Sequence, residues 1–266
     1  MSNERTIQDR ESPLVIQARV IAALMIRDTR TRYGRTFFGY VIMVAWPLFH
    51  LLGISLVFVL GRRAALVGTS TAVFIGTGVL PYMLCLYPVR MIMLSLAQNH
   101  NLLNFPIVKP IDVILARALL EAINACWVVF FFCLILFLFD VDFMPINVPE
   151  ATMAILATIY FSISIGFVAA VLYKLWKPWM AVQIGLLIGM YFTAGVFVLP
   201  TSVPEPYRSY LWYNPLLHSV EWLRSAYFEG YGDGMLSRSY LFWYSTLMLF
   251  FGLLYERALR GRLMQL

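Results

Sequence analysis

Six apolar runs recur along the chain, at Gly39–Leu60, Thr71–Leu94, Val113–Phe139, Thr152–Tyr173, Trp179–Leu199 and Tyr240–Tyr255. A bilayer's hydrocarbon core is about 30 Å thick and needs about 20 helical residues to cross it. Each run is therefore expected to be a transmembrane helix. Barrel strands would be shorter and would alternate apolar with polar positions, which these runs do not. The pattern predicts an all-α polytopic membrane protein, with residues 1–266 forming a single transmembrane domain.

The polar breaks carry their own signals. Residues 1–38 precede the first run. Within them Leu14, Ile16, Val20, Ile21, Leu24 and Met25 recur as apolar positions, Ser12 can cap, and Pro13 suits a first helical position. This predicts an N-terminal amphipathic helix lying along the membrane interface. Residues 95–112 hold Pro106 and Pro110, which break any long helix, and Asp112, which can cap the third span. Leu102, Leu103 and Phe105 stand there among Asn99, Asn101 and Asn104. They are expected to form an exposed apolar knob in want of a partner groove.

Residues 200–239 form the longest break. Asn214 caps, Pro215 opens a helix, and Gly230 closes it. A helix of about 15 residues reaches only about 22 Å, so a re-entrant placement is expected rather than a span. Leu216, Val220, Leu223 and Tyr227 share one face; His218, Glu221, Arg224 and Ser225 lie mostly on another. Glu221 and Arg224 are spaced to neutralise each other. In the third span Arg117 and Glu121 are spaced likewise.

Composition agrees with the pattern: 61% of residues are hydrophobic and only 13% charged, against roughly 25% charged in soluble domains. The net charge of +6 is explained by membrane topology before nucleic acid. Lysines and arginines divide fifteen to five in favour of the side holding both termini and the second and fourth connections, so both termini are expected in the cytoplasm. Arg62 and Arg63, just after the first run, are a local dissent. The first 24 residues mix charges of both signs and lack the apolar core of a cleavable signal.

Several chemistries find no support. Cys85, Cys126 and Cys133 sit in apolar runs without C-x-x-C spacing, and His50, His100 and His218 are far apart, so no disulfide framework or metal site is expected. None of the three lysines belongs to a phosphate-binding loop. Asp112, Asp140 and Asp142, candidates for a membrane-embedded transferase, each have a cap or loop reading. A proton relay or charged filter is equally missing from the spans. A transport subunit driven by a separate ATPase needs neither device.

Three stretches carry a resemblance: "RDTRTRYGRTFFGYVIMVAWPL", "LLNFPIVKPIDVILARALLE" and "YNPLLHSVEWLRSAYFEGY". In that order they resemble the hallmark stretches of ABC-2 type export permeases, nearest the capsule polysaccharide exporters, from Arg27 to the C-terminus. The most specific positions are Asn214, Pro215, Leu216, His218, Glu221 and Arg224. The resemblance implies six spans, an inner-leaflet helix before them, and two short re-entrant helices between the fifth and sixth. It implies a homodimer in the bacterial inner membrane, bound to two copies of an ATPase subunit that carries ATP and magnesium, so this chain itself needs no cofactor and is no enzyme. It implies a lipid-linked acidic polysaccharide as cargo, with periplasmic co-polymerase or adaptor and outer-membrane export partners. O-antigen, teichoic acid, lipid or drug are the alternative cargoes.

Candidate residues follow. The resemblance places the ATPase-coupling helix at about residues 96–105, so Asn99, Leu102, Leu103 and Phe105 are the coupling candidates. Aromatics make up 16% of the chain, and Tyr207, Tyr210, Trp212, Tyr213, Trp222, Tyr227, Phe228 and Tyr231 gather in the external region, where they can offer sugars stacking planes. The substrate-path candidates are Arg90, Trp46, Tyr82, Tyr87, Trp212, Tyr213, His218, Glu221 and Arg224. Arg27, Arg30, Arg32 and Arg35 crowd the entry to the first span and are candidates for contact with lipid or cargo phosphate.

Overall fold

The computed structural model describes residues 12–33, 37–61, 65–68, 70–232 and 234–265, leaving undescribed the side chains of residues 32, 33, 37–40 and 43. Every regular element among the described residues is helical. The order is α1 (Pro13–Tyr33), α2 (Phe37–Leu60), α3 (Thr71–Gln98), a 3-10 turn (His100–Asn104), α4 (Pro110–Leu138), α5 (Val148–Leu175), α6 (Trp179–Thr193), a 3-10 turn (Pro200–Ser202), α7 (Tyr207–Leu211), α8 (Pro215–Tyr227) and α9 (Arg238–Gln265). Helices α3, α4 and α5 are long and apolar enough to cross a membrane; α6 and the Val44–Leu60 part of α2 are apolar but shorter.

Local sequence explains most of the boundaries. The Ser70 side chain accepts from the Val73 N–H to start α3, and Asn147 accepts from Glu150 to start α5. Asp112 accepts from the Lys109 N–H at 3.0 Å behind Pro110, which opens α4. Pro81 and Pro88 stay inside α3 without ending it, as membrane helices tolerate.

Helix α5 is central, packed on α3 and α9. A Cβ at Gly166 would lie 2.9 Å from Cβ of Ile92, so glycine is what lets α3 approach this closely. The larger apolar core joins α2, α3, α4, α5, α6 and α8. A smaller one gathers Leu24, Ile92, Leu96, Leu103, Ile114, Phe167 and Leu263 at the end of the bundle that carries α1.

Three predicted limits differ. The sixth apolar run ends at Tyr255, but α9 continues to Gln265. The fifth apolar run reaches Leu199, but α6 stops at Thr193. Gly195 takes φ +74°, where a Cβ would lie 2.6 Å from Pro200 Cγ, and residues 194–199 leave the helix. The helix after Asn214 closes on Phe228, whose N–H donates to the Arg224 carbonyl, two residues before Gly230. Arg35, Arg62 and Arg63 lie outside the described residues, as does the side chain of Arg32.

Candidate functional site

Three clusters hold most of the predicted residues. The first surrounds α8. Asn214 Oδ1 accepts from the Leu216 N–H at 2.9 Å, while its Nδ2 donates to the Met190 carbonyl at 2.8 Å and to Thr193 Oγ1 at 2.9 Å. One side chain thus starts α8 and holds the last turn of α6. Arg224, fully buried, then collects what α6 leaves unpaired. It donates to the carbonyls of Gly195 at 2.7 Å and Val196 at 2.8 Å. Its guanidinium lies 4.3 Å from the Phe74 ring centre and 3.8 Å from Glu221. Tyr231 donates to Glu221 Oε1 at 2.6 Å, and burial followed by the Glu221 charge pushes that hydroxyl above its ordinary pKa.

His218 is fully buried in the same cluster. Its Nε2 lies 2.8 Å from the Trp212 carbonyl and must donate; its Nδ1 accepts from the Ser237 N–H at 3.1 Å. The two partners select the neutral Nε2–H tautomer, and burial lowers the pKa below the ordinary histidine value. The polar face expected on α8 is therefore not exposed: His218, Glu221 and Arg224 are as buried as Leu216 and Val220. The reason is the setting of α8, packed among α3, α5, α6 and α9.

The aromatics expected on the external side divide. Tyr207, Tyr210 and Tyr213 are exposed, whereas Trp222 and Phe228 are buried and offer no free stacking plane. Trp222 is spent on other contacts, its Nε1 donating to Glu150 at 2.6 Å while Arg238 covers its ring at 5.3 Å. Trp212 packs on His218 and Tyr240.

The second cluster lies at the α1 end. Arg27 donates to Asn99 Oδ1 at 2.8 Å, and Gln17 donates to Asp112 Oδ1 at 2.8 Å. Buried Arg117 pairs with Glu121 at 2.6 Å, as their spacing predicts, and lies 4.0 Å from buried Asp28 of α1. Lys174 Nζ, at the close of α5, meets His100 Nδ1 at 3.2 Å on the 3-10 turn. Arg30 is exposed.

The knob is built differently from expectation. Leu103 is buried in the core of this end, Leu102 is partly buried against it, and Asn99 is buried on Arg27. Phe105 is exposed as expected, and Ile107 stands exposed beside it. No sequence reading found Asp28, Gln17 or Lys174 as partners here, because each pairs across 74 or more positions.

The third cluster is a cavity of about 530 Å³ between α2, α3 and α4. Trp46, Tyr87 and Arg90 line it with Pro47, Met83, Leu84, Glu121, Asn124 and Ala125. Tyr87 Oη lies 3.3 Å from His50 Nδ1. Tyr82 is not with them: it is buried and stacked on Tyr191 of α6 at 3.8 Å, inside the core. Among the described residues no three His, Cys, Asp or Glu side chains are grouped to hold a metal ion.

Comparison with known proteins matches residues 19–228 to the ABC-2 type transporter family. The chain is 31% identical over 243 residues to the polysialic acid transport protein KpsM of Escherichia coli, covering 91% of this chain and 94% of that one. It is 28% identical to the capsule polysaccharide export inner-membrane protein CtrC of Neisseria meningitidis serogroup B, and 26% identical to BexB of Haemophilus influenzae, each over 81% of both chains. The ordered stretches around Arg27, Pro110 and Asn214 and the helical bundle that joins them thus belong to a membrane permease, and the chain is a member of the ABC-2 type transporter family.

Proposed function

We propose that this chain is the permease subunit of an ATP-driven exporter that moves lipid-linked acidic capsular polysaccharide across the bacterial inner membrane. The observation that carries the reading is near-full-length similarity to relatives named for polysialic acid transport and capsule polysaccharide export. A homodimer binds two copies of an ATPase subunit, which holds ATP and magnesium. Helices α2, α3, α4, α5, α6 and α9 are the six spans, and α7 and α8 are re-entrant. The α1 end faces the cytoplasm, with both termini, and periplasmic and outer-membrane partners receive the polymer.

The exposed Phe105 and Ile107 support a coupling surface on the turn after α3. Around it, the bonds from Arg27 to Asn99 and from Lys174 to His100 tie the turn to α1 and α5. A stroke received there reaches two further helices directly.

Complementation tests the reading. A strain lacking a capsule permease but retaining its ATPase is expected to regain surface polymer when this chain is expressed. Co-purification is expected to bring the ATPase down with it. Membrane insertion and ATPase binding without any surface polymer would overturn the cargo assignment.

A further inference from the structure

Arg90 differs from Arg117 and Arg27, the paired cations of the α1 end. Arg117 is neutralised by Glu121 and Asp28, and Arg27 is bonded to Asn99. Arg90 is exposed on α3, lines the 530 Å³ cavity, and no carboxylate lies within ion-pair distance of it among the described residues. The one acid lining the same cavity, Glu121, is already held by Arg117 at 2.6 Å and by the Asn124 amide at 3.4 Å. An uncompensated cation on a membrane helix marks a site for an anion.

Beside Tyr87, Glu121 and Asn124, the rest of the cavity lining is mostly apolar. Ile42, Trp46, Met83, Leu84, Ala125 and Val128 line it, and its volume lies within the range of about 300–1,000 Å³ usual for small-molecule sites. A free anion would have no use for such walls, and an alkyl chain alone would have none for the arginine.

The depth also fits. The 28 residues of α3 extend about 42 Å at about 1.5 Å each, against a hydrocarbon core of about 30 Å. Arg90 lies eight residues before Gln98 at the helix end, or about 12 Å along the axis. With the overhang shared equally, its Cα sits about 6 Å inside the hydrocarbon. A long side chain rises from that depth to the phosphate level.

From this juxtaposition we infer that the cavity between α2, α3 and α4 is a binding site for one anionic phospholipid-type molecule. Its phosphate sits on the Arg90 guanidinium and one acyl chain enters between Trp46 and Ala125. This rests on the orientation proposed above and extends the lipid-linked cargo reading to a defined pocket. The same chemistry serves a bulk phosphatidylglycerol or the phosphate-bearing anchor of the cargo.

Native mass spectrometry of the purified full-length permease tests it. The probes are phosphatidylglycerol and phosphatidylcholine of identical acyl chains. Wild type is expected to retain phosphatidylglycerol about tenfold better, the scale of one charge-assisted contact. R90Q abolishes the preference, R90K keeps part of it, and A125L, which fills the cavity, reduces retention of both lipids. Millimolar inorganic phosphate leaves the bound lipid in place. Displacement of phosphatidylglycerol by cargo anchor extracted from capsulated cells assigns the site to the cargo; its failure to displace assigns it to bulk lipid.

An undiminished preference in R90Q overturns the inference, as does unchanged retention in A125L or full displacement by phosphate. Disulfide cross-linking of two W46C copies would give the cavity wall to a second protomer and overturn it too. The two readings separate cleanly. A wild-type permease that exports but shows no lipid preference strikes only this pocket; one that shows the preference but does not export strikes only the cargo assignment.

Discussion

At the α1 end, side chains meet side chains: Arg27 to Asn99, Gln17 to Asp112, Arg117 to Glu121, Lys174 to His100. The α8 end has such pairs too, Tyr231 to Glu221 and Trp222 to Glu150, but adds side chains bound to the backbone: Arg224 to two carbonyls, Asn214 to the Met190 carbonyl, His218 to a carbonyl and an N–H. A side-chain pair can be re-formed one rotamer or one turn away. A fork set into the carbonyls of an opened helix has no second seat. Under the proposed function, the contrast distinguishes an end suited to rearrange from one suited to stay fixed, as a permease driven from beside α1 requires.

Substitution of Arg224 is the hardest test of the fixed end. R224K keeps the charge but loses the planar fork, and it leaves buried carbonyls and Glu221 poorly paired. A loss of about 3–5 kcal/mol is expected, read as collapse of the fluorescence-detected gel-filtration peak. A wild-type melting temperature in R224K would erase the distinction between the ends.

Next in size is a paired substitution at the α1 end. L103D puts a charge into the core beside Leu24 and Ile114 and is expected to cost about 3 kcal/mol or more. F105D alters an exposed side chain, so stability should stay within about 0.5 kcal/mol while transport and ATPase stimulation are lost. Equal destabilisation by both would return Leu103 to the surface.

G78A comes third. An added Cβ would lie 2.8 Å from the Arg224 terminal nitrogen and 3.0 Å from the Val196 carbonyl oxygen. Overpacking of about 1–3 kcal/mol is expected, and its thermal effect should be non-additive with R224A, because the two touch.

The mildest effect is acid sensitivity. The folded-state pKa of His218 is lowered by burial, so its neutral form contributes stability that is present above the ordinary value of 6.5 and lost as pH falls below it. Melting temperature should therefore decline on acidification from pH 7.5 to 5.5, and H218Q should flatten that slope. A slope unaltered by the substitution would remove His218 from the fixed end.

Much of this was legible in sequence where the interaction is local. Asn214 before Pro215, Asp112 after Lys109, and Arg117 four residues before Glu121 each place both partners within one helical turn. The apolar runs located the helices because bilayer crossing demands length. What stayed hidden is long-range or depends on facing. The opening of α6 at Gly195 required knowing that Arg224, 29 positions on, would take the freed carbonyl. Leu103 and Phe105 look equally fit for a surface knob until the turn's orientation is known. Tyr82 and Tyr87 are five apart on one helix, yet one stacks in the core and the other lines a cavity.

The brevity of α6 reaches beyond the protein. Its 15 helical residues extend about 22 Å, some 8 Å less than ordinary hydrocarbon thickness. In the proposed arrangement α6 is a span, and a bilayer meeting it thins around it, at fractions of a kcal/mol per Å. On that reading membrane thickness is a control variable for this permease. Reconstituted into vesicles of 14-, 16- and 18-carbon monounsaturated phosphatidylcholine, it is expected to melt highest in the thinnest, and an opposite order would mean that the residues after Thr193 fill the missing length.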